Sequence, residues 1–236
     1  MRTFMGVLVL VATAATAGAQ GGGVPGMQMD ATKNTKQAGP LPTGWVGRVD
    51  RANQKLEDAN FSTMGAGLHV TTGPAVTLWN PANTASGSYT ISASFGVRSV
   101  PDHDYYGLVW GGSDLDGDKV TYAYFVVAGD GTFLVKHRYG PSSGGRGNPP
   151  AEVHTVIDKT PHDAIRKAMK DGQPASLGSA SNTLEVRVAA DSVRFVVNGT
   201  QVAAVDAKNP MVPTAGLFGL RVNHNIDTHI SNFGKK

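Results

Sequence analysis

The chain has 236 residues, 30 glycines, 13 prolines, no cysteine and a formal net charge of +3. Its Lys and Arg are scattered without a block of like charge, which excludes the basic footprint of a nucleic-acid binder. Without cysteine there is no disulfide framework and no acylated anchor, so the fold must rest on a core that a chain of this length can bury.

The first residues read as a targeting segment. Arg2 supplies the charge, residues 4–15 the apolar run, and Ala17-Gly18-Ala19 a small-x-small cleavage site. That run is shorter than the roughly 20 residues a membrane span needs, and no second run follows. Residues 1–19 are therefore expected to be removed on export, leaving a periplasmic or extracellular protein that starts at Gln20. Residues 20–42 are rich in Gly, Gln, Thr, Lys and Pro and are expected to form a disordered leader. Residues 43–236 then form one domain.

Strand signals recur through that domain, separated by Gly, Asn, Asp or Pro. They fall at 45–49, 67–70, 75–79, 88–97, 105–111, 120–128, 132–139, 152–156, 183–189, 193–197, 201–205, 216–222 and 226–233. One window, 161–170, has a helical pattern, with Pro161 at its start and Gly172 past its end. Asn198-Gly199 reads as a tight hairpin turn. So does Asp130-Gly131, and a two-residue turn there sets Tyr124 opposite His137 and Tyr122 opposite Tyr139. Tyr122, Tyr124, Val126, Phe133, Val135, His137 and Tyr139 would then share one face. Neither face of this hairpin is plainly polar, so it is either buried on both sides or floors a groove.

Several clusters carry possible chemistry. Sugar rings present apolar C–H faces that stack on aromatic side chains, while polar neighbours bind their hydroxyls. Trp79, Trp110, Tyr105, Tyr106, Tyr122 and Tyr124 are candidate platforms, with His137, Lys136 and Arg138 as donors. The strongest group is Trp110, Tyr122, Tyr124, His137 and Arg138. Asp114-Leu-Asp-Gly-Asp118 alternates hard oxygen donors, which makes Asp114, Asp116 and Asp118 candidate calcium ligands. However, the twelfth position of an EF-hand loop is Phe125 rather than Glu, and a polar hairpin turn explains the motif equally well. A structural calcium is the only cofactor the sequence suggests. Asp102-His103-Asp104 is a compact acid–His–acid cluster, and Asn225, Asp227 and His229 alternate along the last strand. The chain has three Glu, at 57, 152 and 185, each isolated. Paired carboxylates set for glycoside hydrolysis are therefore not visible.

The closing segment, Thr183-Leu-Glu-Val-Arg-Val to Val193-Arg-Phe-Val-Val-Asn-Gly199 and then Gly216-Leu-Phe-Gly-Leu-Arg-Val222, resembles the second half of a concanavalin A-like jelly roll. Gly65-Ala-Gly-Leu-His-Val-Thr-Thr-Gly-Pro-Ala75, Trp79-Asn-Pro-Ala-Asn83, Tyr106-Gly-Leu-Val-Trp-Gly-Gly-Ser-Asp-Leu-Asp116 and Gly129-Asp-Gly-Thr-Phe-Leu-Val-Lys-His-Arg138 are similar to secreted bacterial proteins of the 3-keto-disaccharide hydrolase-like group, often described as family 16 glycoside hydrolase-like. The resemblance spans residues 43–233. It implies an all-β sandwich of two antiparallel sheets with one short helix, and a glycan or polysaccharide partner. The Glu-x-Asp-x-x-Glu signature of the family 16 enzymes is absent, so no catalytic residue carries over. The reading that follows is noncatalytic carbohydrate recognition or surface interaction. The alternative is a glycan-active hydrolase or lyase that uses Asp and His as acid and base.

Overall fold

The computed structural model describes residues 39–99, 104–140, 152–170, 173–174 and 180–236. The expected leader up to residue 38, Asp102, His103 and the Gly/Ser/Pro-rich loop after Gly140 lie outside them.

In chain order the strands are β1 (Val46–Val49), β2 (Asn60–Met64), β3 (Gly67–Thr71), β4 (Val76–Ala85), β5 (Tyr89–Ser99), β6 (Tyr105–Ser113), β7 (Thr121–Ala128) and β8 (Thr132–Tyr139). They continue as β9 (Glu152–Pro161), β10 (Met169–Lys170), β11 (Gln173–Pro174), β12 (Ser181–Val188), β13 (Ser192–Val197), β14 (Thr200–Asp206), β15 (Gly216–Val222) and β16 (Asp227–Lys235). A first seven-stranded sheet runs β1-β4-β15-β6-β7-β8-β9, and a second runs β14-β13-β12-β5-β16-β3-β2. Every pairing is antiparallel. The crossovers β1-β4-β15-β6 and β5-β16-β3 place strands from both ends of the domain side by side, as in a jelly roll.

Period-two alternation builds the core. From the first sheet, Val76, Leu78, Tyr106, Leu108, Trp110, Phe125, Phe133, Leu220 and Val222 point inward. From the second, Val70, Ile91, Phe95, Leu184, Val186, Phe195 and Ile230 meet them. Trp110 packs on Phe195 with ring centroids 5.5 Å apart, and Phe95 on Tyr106 at 5.3 Å. Residues 39–42, placed in the leader by composition, dock at the edge of this sandwich. Leu41 packs on the core, and the Gly39 N–H donates to Asn60 Oδ1 at 2.7 Å.

Two local expectations are corrected. The 161–170 window is not a helix; among the described residues the helix is a single 3-10 turn at Leu56–Asp58. Pro161 ends β9, and the backbone that follows is captured by side chains. Asn182 Oδ1 accepts the Arg166 N–H at 2.9 Å, Asn182 Nδ2 donates to the Arg166 carbonyl at 3.0 Å, and Asn198 Nδ2 donates to the Ala164 carbonyl at 2.8 Å. Ile165 and Ala168 are thereby pinned into the core. Bonds that a helix would make to itself are made instead to β12 and to the turn after β13.

The second correction concerns the β7–β8 register. Asn198-Gly199 is the expected two-residue turn, with φ of 51° and 83° between the paired Val197 and Thr200. The Asp130-Gly131 turn instead takes in Gly129. The Gly131 N–H donates to the Ala128 carbonyl at 3.1 Å, and Gly131 has φ 88°. Asp130 Oδ1 accepts from both the N–H and the hydroxyl of Thr132. This is a three-residue loop closed by a left-handed glycine. The extra residue moves every pair by one: Tyr122 faces Arg138, Ala123 faces His137 and Tyr124 faces Lys136. A one-residue slip exchanges the faces. Tyr122, Tyr124, Val126, Leu134, Lys136 and Arg138 thus share the outer face of the first sheet. His137 shares the inward face with Ala123, Phe125 and Val135.

Candidate functional site

The outer face of the first sheet carries both a buried ion-pair cluster and a lined depression. Its strands bring together side chains from residues 46 to 223. One end is closed. After β6 the chain turns back over the sheet, and Leu115 and Val120 pack on Trp79, Val109 and Tyr122 in a small second cluster. Leu115 is 1% exposed. Arg48 Nη1 donates to the Leu115 carbonyl at 2.6 Å and holds the loop down.

This fixes the role of the Asp-rich loop in the fold. Asp114 takes φ 50°, and its Oδ2 accepts the Lys119 N–H at 2.7 Å, while its carbonyl accepts the Gly117 N–H at 3.0 Å. Asp116 and Asp118 are exposed. Among the described residues no three His, Asp or Glu side chains, these included, are gathered as metal ligands would be.

The middle of the face is a charged cluster around Asp50, in the bend that follows β1. Arg221 grips its carboxylate with both Nη atoms, Nη1 reaching Oδ1 at 2.6 Å and Nη2 reaching Oδ2. Arg138 Nη1 lies 2.9 Å from Oδ1, and its Nη2 donates to the Asp50 carbonyl at 3.3 Å. The side chains of Arg221 and Arg138 are 6% and 7% exposed. β15 and β8 are three strands apart, about 14 Å across a flat sheet. Two guanidiniums from such distant strands meet one carboxylate because the chain leaving β1 turns over the face. Burial pushes the Asp50 carboxyl up, but Arg221, Arg138 and Arg48 outweigh it and hold it below the usual carboxylate range. Burial opposes the charge on Arg221 too, and Asp50 more than restores it. Arg221 also bonds Thr77 Oγ1 at 3.1 Å and Asn223 Oδ1 at 3.1 Å, and its guanidinium lies 5.5 Å from the Tyr124 ring centroid.

Beyond this cluster the face opens into a depression of about 130 Å³, lined by Tyr105, Tyr124, Val126, Leu134, Lys136, Arg221 and Asn223. Val126 and Leu134 form an apolar floor, and the polar groups stand around it. Burial pushes the Tyr124 hydroxyl up to about 12, and burial likewise raises Tyr105. Both remain neutral donors and acceptors over the physiological range. At the end of this face, His224 Nδ1 meets Asp104 Oδ2 at 2.7 Å. The bond to Asp104 raises the imidazole above its ordinary value.

Of the five ligand candidates, Tyr124 lines the depression. Trp110 is fully buried in the core, with Nε1 donating to the Pro213 carbonyl at 2.8 Å. Tyr122 lies beneath the Leu115 loop, its hydroxyl 3.3 Å from Thr77 Oγ1. Arg138 is committed to Asp50. His137 is on the opposite face, near Tyr139 and His154, with Nε2 2.9 Å from Thr121 Oγ1. Of the further candidates, Tyr105 and Lys136 do reach the depression, whereas Trp79 and Tyr106 are buried. Asp227 and His229 sit on the outer face of the second sheet, where Asp227 Oδ1 is 3.0 Å from His69 Nε2 and His229 pairs with His69. Arg221 escaped the sequence reading. Arg221 carried a signal: a lone cation between Leu220 and Val222 in an apolar strand requires a partner.

No family model matches the chain, and no curated protein sequence does. The resemblance to the 3-keto-disaccharide hydrolase-like group therefore rests on the motifs quoted above. Solved structures do match. The carbohydrate-binding module CBM66 from Bacillus subtilis aligns with a TM-score of 0.51 at 15% identity, over 82% of this chain and 96% of that one. A protein of unknown function with a galectin-like fold, also from Bacillus subtilis, aligns with a TM-score of 0.51 at 12% identity, over 87% and 93%. A glycoside hydrolase family 16 protein from Bacteroides ovatus aligns at 0.48 and 10% identity, over 79% and 92%. Identities this low speak to the fold, and together with the strand order they place the chain among concanavalin A-like jelly-roll sandwiches.

Proposed function

We propose that this is an exported domain that recognises carbohydrate without cleaving it, through the outer face of the first sheet. The observation that carries the reading is the depression in which Tyr105 and Tyr124 stand over an apolar floor beside Lys136, Arg221 and Asn223. An aromatic wall suits the C–H face of a sugar ring, and convergent donors suit its hydroxyls. At about 130 Å³ the site is smaller than the roughly 300 Å³ at which compact ligand pockets begin, so it suits one sugar residue or a chain end, bound weakly. The fold shared with a carbohydrate-binding module is compatible with this use and does not establish it. Export rests on the targeting segment of residues 1–19, and the mass of the exported protein, starting at Gln20 rather than Met1, is its test.

Replacing Tyr124 with Ala is expected to weaken oligosaccharide binding by about three- to tenfold, the worth of one stacked ring. Calorimetric titration against neutral and acidic oligosaccharides, with melting as the folding control, measures it. Wild-type protein that binds none of them, or a Tyr124→Ala variant that binds as well as wild type, would remove the proposal.

One observation favours a second, catalytic reading. Asp104 is buried and holds His224 at 2.7 Å, and the chain neighbours Tyr105 and Asn223 line the depression. An oriented imidazole can act as acid or base. Release of sugar from a glycan by wild type, lost in His224→Ala, would replace recognition with turnover.

A further inference from the structure

We infer that the saccharide bound on this face is anionic, its carboxylate or sulfate meeting Lys136 beside Arg221. The inference rests on the reading of the face as a carbohydrate site and specifies its ligand class.

The argument starts from charge. Arg138 and Arg221 share the single carboxylate of Asp50, and Arg48 acts on the same group. Two other acids act on Tyr105 at the depression, and each has a cationic or imidazole partner of its own. Asp104 meets His224, and Asp130 holds Lys159 at 2.8 Å. Lys136 stands opposite Tyr124 across the β7–β8 ladder and has no ion-pair or hydrogen-bond partner among the described residues. The local excess of positive charge is thus concentrated on one face of a chain whose whole net charge is only +3.

The geometry then decides what that charge can do. Val126, Leu134 and the Tyr124 ring form low-dielectric walls, which focus the field of Lys136 and Arg221 into the depression. The two Nη atoms of Arg221 are fixed on Asp50 and its Nε on Asn223, so Arg221 is a pre-set positive wall. Lys136 is the movable donor. A neutral sugar must strip water from Lys136 and returns only the bond of an ammonium to an uncharged hydroxyl. An anionic sugar returns a bond in which both partners are charged, adding the Coulomb attraction of opposite unit charges. Selection for a charged saccharide follows from that difference.

The test titrates the full chain with three tetrasaccharides: tetragalacturonate, which carries carboxylates alone; a κ-carrageenan tetrasaccharide, which carries sulfates alone; and neutral cellotetraose. Each is measured at low and high NaCl on wild type, Lys136→Met and Lys208→Met. Lys208 is exposed in the turn after β14 and serves as a control for general charge attraction. At least one anionic probe is expected to bind about tenfold tighter than the neutral one. That advantage should shrink with salt, disappear in Lys136→Met and survive in Lys208→Met. The probe that behaves so identifies carboxylate or sulfate as the group. Equal binding of neutral and anionic probes, or equal losses in the two lysine variants, overturns the anionic assignment and leaves carbohydrate recognition standing. Binding of no probe overturns both.

Discussion

Asp50→Asn is the sharpest test of how the candidate face is held together. The substitution keeps the shape of the side chain and removes its charge. Arg221 and Arg138, 6% and 7% exposed, then lose their shared anion, and one amide N–H is forced against a guanidinium N–H. Removing one partner of a buried ion pair costs about 3–5 kcal/mol. Asp50 keeps 23% of its side-chain surface, so water can replace part of what is lost, and the low end, about 3 kcal/mol, applies. For a domain of this size that is a fall in Tm of roughly 6–12 °C. Adding Arg221→Met should recover part of the loss, because the uncompensated cation then disappears too. The acid limb gives an independent check. The folded Asp50 carboxyl lies below its unfolded value, so its stabilisation is complete above about pH 4 and fades as pH falls through the lower folded value. Asp50→Asn should therefore flatten the stability profile on the acid side of pH 4. Thermal melts from pH 2 to 7 measure both effects. A variant within about 0.5 kcal/mol of wild type, with an unchanged acid limb, would refute the cluster as the organiser of this face.

Two further expectations concern the frame around the site. Asn182→Leu leaves the Arg166 N–H and carbonyl, the Tyr106 hydroxyl and the Asn198 amide short of a partner at a position with no exposed surface, so denaturant unfolding should show a loss of about 2–4 kcal/mol; a change below about 0.5 kcal/mol would mean that the network is dispensable. Because the Asp114 carboxylate ties its own turn, melts in calcium and in chelator should coincide, and a rise of several degrees at micromolar calcium would instead establish a tight site at Asp114, Asp116 and Asp118.

The sandwich was legible because its signals are local. Alternation with turn residues between marks nearly every strand, and Asn198-Gly199 does what that dipeptide does. The failures arose where local signals were outvoted. Asp130-Gly131 looks like a complete turn, yet Gly129 joins it, and that one residue exchanged His137 for Lys136 beside Tyr124. The 161–170 window has helical spacing, but Asn182 and Asn198, distant in sequence, take its backbone bonds. Trp110 carries no mark to separate a core ring from a binding ring; only the pairing of β6 with β7 and β15 settles which way it points. Arg221 needed a partner, but nothing local identifies Asp50, 171 residues earlier.

The central claim, that ligand is met on the outer face of the first sheet, is tested most directly by mapping amide chemical shifts on the ¹⁵N-labelled protein during titration with tetragalacturonate and cellotetraose. Shifts confined to the backbone around Tyr105, Tyr124, Val126, Lys136 and Asn223, absent in Tyr124→Ala, are the predicted result. Shifts centred instead on β2, β3 and β16 of the second sheet, around His69 and His229, would place the binding face on the other side of the sandwich and contradict the account.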